Sequence, residues 1–372
     1  FIFAATLLLI FSEKLHRTIT SLAGAALTLA LGKLLGFYSE TEAIAAIDFN
    51  TLGLLLGMMI LVALLEPTGF FEFLAVKVGQ LSHGRPIRLM VLLSAVTTVT
   101  SMFLDNVTTV VLIAPVTILI CEILELKPRP FLMAEALLSN TGGVATLVGD
   151  PPNILIASAA NLSFTDFLVK SLPIVAVVWF VALGMLLWLY RDELHPQGKL
   201  DVETLMQLNP GEAFKDRKAA RRVLVVLGMA IFLFLIEERL HIKPAFVALS
   251  MSSLALIWIS PSIQETLKRV EWDILLFFGS LFVLVGGMDS AGVLGSLAQI
   301  VTSATHLPPV LFGLLLLWLV AILSAIVDNI PITIALIPII QGLGNSGVDI
   351  APLWWALAFG AGFGGNGTII GS

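Results

Sequence analysis

The chain has 372 residues, of which 58% are apolar and only 12% charged; mean hydropathy is +1.01, and 20 Lys+Arg against 26 Asp+Glu leave a formal net charge of −6. Soluble domains carry roughly twice that share of charge, and nucleic-acid binders need a basic face, so both classes are excluded, as is a disordered chain. Cys121 is the only cysteine, which excludes a disulfide scaffold.

At roughly 20 apolar residues per crossing, the chain reads as an all-α polytopic membrane protein with about ten spanning or membrane-embedded helices. In chain order the apolar runs predict helices over 1–12, 18–36, 50–65, 86–104, 107–124, 131–159, 167–190, 223–236, 244–260, 272–288, 308–327, 330–341 and 352–372. The stretches 86–124 and 308–341 are broken by Asp105-Asn106 and Asp328-Asn329, with Pro115 and Pro331/Pro338 nearby, and are expected to be re-entrant hairpins. The stretch 131–159 is interrupted by Ser139-Asn140-Thr141-Gly142-Gly143, then by Gly149-Asp150-Pro151-Pro152-Asn153, and is expected to be a discontinuous helix. Backbone freed by such breaks cannot face lipid and must line an enclosed polar cavity. Thirteen of the 32 residues in 191–222 are charged, with Pro196, Gly198, Pro210 and Gly211 among the rest. That segment reads as a solvated linker.

Self-comparison finds a repeat. At an offset of 223, Ile47-Asp48-Phe49-Asn50 matches Val270-Glu271-Trp272-Asp273, Glu66 and Gly69 match Asp289 and Gly292, Asp105-Asn106 matches Asp328-Asn329, and Pro115 matches Pro338. Lys14-Leu15-His16 matches Arg239-Leu240-His241 at 225. At 222, Gly142-Gly143 and Thr146-Leu147-Val148-Gly149 match Gly364-Gly365 and Thr368-Ile369-Ile370-Gly371. The expected organisation is a first repeat at 1–190, the linker at 191–222, and a second repeat at 223–372 that lacks its C-terminal part. Each repeat reads as three spanning helices, a re-entrant hairpin, a discontinuous helix and a last helix. Five crossings is an odd number, so the second repeat enters the membrane inverted, an arrangement characteristic of secondary transporters. With the linker cytoplasmic, 16 of the 20 basic residues fall inside and Lys33, Lys170, Arg239 and Lys243 outside, as the positive-inside rule requires.

Ionisable groups deep in a membrane are costly and point to function. Asp105, Asp328, Asp150 and Glu135 are the candidates for proton or ion coupling, with Glu66 and Asp289 less deep. Asp105 and Asp328 stand at matched hairpin tips, where the simpler role is to cap the following helix; capping and ion contact can coexist. The candidate solute-binding set is Asn106, Thr109, Ser139, Asn140, Thr141, Gly142, Gly143, Thr146 and Asn153 in the first repeat, and Asn329, Gly365, Asn366 and Thr368 in the second. These supply hydroxyls, amides and flexible backbone; the alternative is a purely structural kink. No metal site is expected beyond a Na⁺ at Asp105 and Asn140. His16 and His241 lie at helix ends, and a lone Cys121 in an apolar helix reads as packing.

Leu104-Asp105-Asn106-Val107-Thr108-Thr109, Ser139 to Gly143 with Gly149-Asp150-Pro151-Pro152-Asn153, Asp328-Asn329-Ile330-Pro331 and Gly364 to Thr368 together resemble the ArsB/NhaD group of the ion transporter superfamily, in particular its P-protein (pink-eyed dilution) type permeases. The resemblance covers essentially the whole chain. It implies a scaffold domain plus a transport domain moving as an elevator, often in a homodimer. Its members include arsenite/antimonite efflux permeases and Na⁺/H⁺ antiporters. The leading expectation is therefore proton-coupled efflux of a small inorganic solute, arsenite or antimonite, from a prokaryotic cell across the inner membrane. A Na⁺/H⁺ antiporter comes second. An anion transporter comes third, weakened because no Lys or Arg lies near either tip, although helix N-termini could substitute. No cofactor is expected, only a proton or sodium gradient, and an enzyme is not: a protease dyad of Asp105 and Asp328 does not fit their matched places in a duplicated hairpin.

Overall fold

The computed structural model describes residues 1–12, 14–195, 202–293 and 308–368, and every regular element among them is helical. In chain order these are α1 (Ile2–Phe11), α2 (Arg17–Leu35), α3 (Glu40–Ala46), α4 (Phe49–Leu65), α5 (Phe70–Leu81), α6 (Pro86–Ser101), α7 (Asn106–Ile123), α8 (Arg129–Gly143), α9 (Pro151–Ala160) and α10 (Phe164–Leu189). After them come α11 (Val202–Gln207), α12 (Arg217–Leu235), α13 (Glu237–Leu240), α14 (Pro244–Ile259), α15 (Ile263–Lys268), α16 (Trp272–Ser290), α17 (Pro309–Ile326), α18 (Asn329–Asn345) and α19 (Ala351–Gly364).

Helix starts follow local chemistry. Ser39 with Glu42 and Ser163 with Asp166 form capping boxes ahead of α3 and α10. Asp216 accepts the N–H groups of Lys218 and Ala219 at 3.0 and 2.9 Å and starts α12. Proline opens α6 and α14, where its missing N–H is harmless.

Among the described residues, five helices are long and apolar enough to cross a bilayer: α2, α4 with its 3₁₀ extension to Thr68, α7, α10 and α16. At 18 residues α7 is roughly 27 Å long. On α10, Val177, Phe180, Val181, Met185, Trp188 and Leu189 stand exposed, an apolar surface suited to lipid.

The chain forms two compact units, each drawing on both halves of the sequence. One contains Phe1–Leu56, Pro152–Leu162 and Glu271–Ser372; the other contains Gly57–Pro151 and Ser163–Val270. In the first unit α2 packs on α16, and α17 on α19. In the second, α8 packs against α6, α7 and α10, and α12 against α14.

Two differences from the apolar pattern stand out. Helix α5 was not expected, because Glu72 and Lys77 interrupt its apolar run; its buried face is Phe71, Ala75, Val78 and Gly79, at helical spacing. The linker is not simply solvated either. Positions 196–201 lie outside the described residues, but Leu205 is fully buried. The backbone N–H of Lys215 donates to Thr68 O at 2.9 Å, Gln80 Nε2 donates to Leu208 O at 2.7 Å, and the rings of Phe73 and Phe214 meet at 4.6 Å. The described part of the linker thus straps α5, and α12 begins inside the span read as linker. An apolar minority in a charged segment suffices for this.

Candidate functional site

In the second unit, the tip between α6 and α7 is organised by Asp105. Its Oδ2 accepts the backbone N–H of Thr108 at 2.8 Å and the Thr108 hydroxyl at 3.1 Å, so it caps α7. The next residue reaches sideways: Asn106 Nδ2 donates to Asn140 Oδ1 at 3.0 Å. Ser139 Oγ returns a bond to Asn106 O, also at 3.0 Å. The N-terminus of α7 and the C-terminal turn of α8 are thereby stitched together through buried amides and a buried hydroxyl.

A second row of bonds fixes α8 to α6. Thr98 Oγ1 donates to Leu138 O at 3.0 Å and Ser101 Oγ to Ser139 O at 2.8 Å, while Trp179 Nε1 on α10 donates to Thr98 Oγ1 at 2.9 Å. The backbones approach closely: a Cβ on Gly142 would lie 2.5 Å from Thr98 O, and one on Gly149, in the break, would lie 2.7 Å from Ser101 O. Only glycine fits such approaches.

The break itself is placed differently from the sequence expectation. Ser139 to Gly143 form the last turn of α8, and the helix interruption covers 144–150. Thr141 Oγ1 bonds back to Leu137 O at 2.8 Å, as a helical hydroxyl does. Thr146 Oγ1 donates to Met102 O and accepts the N–H of Gly149 at 3.2 Å, pinning the break to the hairpin tip. Asp150 is buried within the break beside Gly143. Asn153 is also buried, but it belongs to the other unit.

Glu135 sits one turn before Ser139 and is fully buried. Its Oε1 accepts the Thr117 hydroxyl at 2.5 Å, while its Oε2 and the Thr109 hydroxyl have no hydrogen-bond partner. A buried polar atom left unpaired costs about 1–3 kcal/mol, and such atoms in a native interior call for a reason. Cys121 is free and buried, consistent with packing.

In the first unit, Asp328 accepts the N–H of Ile330 at 3.1 Å and caps α18. Asn329 is buried, and Thr333 Oγ1 donates to its carbonyl at 2.9 Å. Here one expectation is overturned. Arg17, 311 residues away in sequence, donates its Nη1 to Asp328 Oδ2, so one tip does carry a basic side chain. Linear distance hid it.

Three contacts recur in both units at offsets of 222 and 223. Ser324 Oγ donates to Ala361 O at 2.7 Å as Ser101 does to Ser139 O; Thr368 Oγ1 donates to Ala325 O as Thr146 does to Met102 O; and a Cβ on Gly364 would lie 2.6 Å from Ala321 O, as one on Gly142 would from Thr98 O. The backbone clamp is shared, but the polar lining is not. Where the second unit has Thr109, Glu135, Ser139, Asn140 and Thr141, the first has Ile332, Leu357, Ala361, Gly362 and Phe363. Gly365 is buried, Asn366 half-buried and Thr368 exposed. The sequence reading missed Arg17, Thr98, Trp179 and the Ser101/Ser324 pair; only the last carried a signal, the shared offset of 223. Among the described residues, no group of three His, Cys, Asp or Glu could hold a metal ion.

Residues 7–360 match the family described as Citrate transporter, CitMHS. A Mycobacterium bovis protein named as an uncharacterized transporter is 40% identical over all of this chain and 87% of its own length. The 46 kDa membrane protein of Mycobacterium leprae is likewise 40% identical with the same coverage. The human P protein is 33% identical over the whole chain, which spans 54% of that longer protein.

Proposed function

The chain belongs to the citrate transporter (CitMHS) family and is an integral membrane transporter, not an enzyme; from that footing we propose that it is a secondary transporter of a small oxygen-rich solute, driven by a proton or sodium gradient. The observation that carries this reading is the buried seat at the start of α7, where Asn106, Ser139 and Asn140 bond one another beside the Asp105 cap. A helix N-terminus favours negative or oxygen-rich groups, and amides and hydroxyls exchange partners with a solute at little cost. Thr109, Thr141, Gly142, Gly143 and Thr146 complete the proposed lining at this tip; Asn153, Asn329, Gly365, Asn366 and Thr368 are proposed as solute-binding residues within the first unit. Asp105, Asp328, Asp150 and Glu135 are the proposed coupling carboxylates, and Na⁺ at Asp105 and Asn140 is the sodium version of that coupling.

The family's name supports a carboxylate as the solute. A second reading, efflux of arsenite or antimonite as in ArsB/NhaD permeases, draws on the seat's amide and hydroxyl donors, Asn106 Nδ2 and Ser139 Oγ. Na⁺/H⁺ antiport draws on the buried Glu135 and Asp150. The recurrent clamps favour a duplicated architecture with repeats at 1–190 and 223–372 around the linker at 191–222. A homodimer in an inner membrane, the linker cytoplasmic, working by an elevator motion completes the proposal.

The test is flux in proteoliposomes loaded with citrate, arsenite or Na⁺ under an imposed pH gradient, followed with a pH-sensitive dye. Saturable, gradient-driven movement of one solute, lost in Asn140→Ala, is the expected result. If no solute moves under either a proton or a sodium gradient, the proposal fails.

A further inference from the structure

Arg17 is the first residue of α2, and its guanidinium faces Asp328 at the second tip while lying 5.6 Å from the centroid of the Phe277 ring on α16. Asp328 is held from behind: Oδ1 accepts the Ile330 N–H at 3.1 Å, leaving Oδ2 for the guanidinium. Both side chains remain partly accessible, at 34% and 32%. An arginine offers five donors in a planar fork that matches carboxylates, and the contact to Asp328 uses Nη1.

The arginine has no copy in the second half of the sequence. At the offset of 225 that relates these segments, Ile242 stands in place of Arg17. At the first tip the Asp105 carboxylate accepts the Thr108 N–H and hydroxyl of its own helix. At the second tip a guanidinium is already occupied by a carboxylate.

We propose that Arg17 sets the charge selectivity of the transporter, with Asp328 as a resident stand-in for the carboxylate of the solute. An incoming small anion bearing a carboxylate or equivalent oxyanion displaces Asp328 from the guanidinium. No covalent bond changes; one ion pair is exchanged for another. Partly exposed ion pairs are weak, so a solute carboxylate can compete. This inference rests on the reading of the chain as a solute transporter and names the solute's class.

The experiment measures KM for citrate exchange by the full chain in proteoliposomes with no imposed gradient, so that the coupling role proposed for Asp328 does not enter, with arsenite flux run in parallel and detergent melting recorded for every variant. Arg17→Gln raises KM at least tenfold, Arg17→Lys raises it less because a point charge replaces the fork, and Asp328→Asn lowers it by removing the competitor. The double variant Arg17→Gln/Asp328→Asn stays as poor as Arg17→Gln alone. A merely structural pair predicts the opposite: both single variants impaired alike and the double variant recovered. That pattern, or an unchanged KM in Arg17→Gln, overturns the inference. If Arg17→Gln does not fold, the Lys variant, which keeps the charge, decides by the same criterion. Wild-type flux of arsenite with none of any carboxylate would sink the inference while leaving the transporter reading intact; absence of all flux would sink both.

Discussion

Asn106 and Asn140 are joined by one amide bond at 3.0 Å in a buried setting. Asn140→Ala strips Asn106 Nδ2 of that acceptor, an expected cost of about 1–3 kcal/mol in stability, together with at least a tenfold loss of flux. Thr141→Ala should be milder on both counts, since its hydroxyl bonds back to Leu137 O within α8. Melting in detergent and uptake in liposomes check the order, and equal effects would mean that the Asn106–Asn140 bond has no special place. A second residue responds to pH. Glu237, beyond the end of α12, accepts the Phe164 N–H at 2.9 Å with Oε1, and its Oε2 meets no donor. Burial, opposed by that hydrogen bond and reinforced by neighbouring Glu238, pushes its carboxyl up to about 7 from the ordinary 4.5. The folded state therefore keeps a proton that the unfolded chain has already released. Its stabilising contribution is full below about 4.5 and is lost as pH rises through about 7. The melting temperature should fall across that window more steeply for the wild type than for Glu237→Gln; parallel curves would assign the buried Glu237 no share in it. Glu237 was invisible to sequence reasoning because a charged cluster at a helix end looks solvated.

At the scale of elements, the α6–α8 contact depends on the absence of a side chain. Gly142→Ala places a methyl 2.5 Å from Thr98 O, a backbone atom that cannot swing away. The expected penalty is about 1–3 kcal/mol, with flux reduced because the Asn140 turn moves with it. Gly364→Ala meets Ala321 O at 2.6 Å and should cost a similar amount. If both variants melt like the wild type, the close packing is wrong. The tips were legible in sequence because Asp-Asn inside an apolar run has few uses other than starting a helix, and both Asp residues do cap one. The end of α8 was not. Ser-Asn-Thr-Gly-Gly carries every local mark of a loop, yet bonds from Thr98 and Ser101 and the near contact at Gly142 hold it helical. Tertiary packing overrode local propensity there, and no neighbouring residue in sequence announces it. Helix α5 shows the reverse: its apolar stripe was present at helical spacing, but averaging over Glu72 and Lys77 hid it.

At the scale of the molecule, the order of landmarks along the chain and the compact units it builds are different things. The repeat follows the sequence, first half then second, whereas each unit gathers segments from both. Periodicity reaches the first kind of order and cannot reach the second, which depends on pairings such as Arg17 with Asp328 at a separation of 311 residues. What the repeat does demand is a definite topology. If each half crosses the bilayer an odd number of times, matched positions lie on opposite faces; seven of the 20 basic residues stand in the linker itself and none follows Arg269. Basic residues resist translocation, so the proposed topology predicts that the linker's side is cytoplasmic. Two exposed positions flank α12 and test this directly, Glu212 in the linker strap and Lys243 ahead of α14. A cysteine at Glu212, introduced with Cys121 replaced by Ala, should react with a membrane-impermeant maleimide only in inside-out vesicles. One at Lys243 should react only in intact cells. Labelling of both cysteines from the same face would mean that the segment between them, α12 (Arg217–Leu235) with α13, does not cross. The inverted arrangement would then fail at the helix that opens the second repeat.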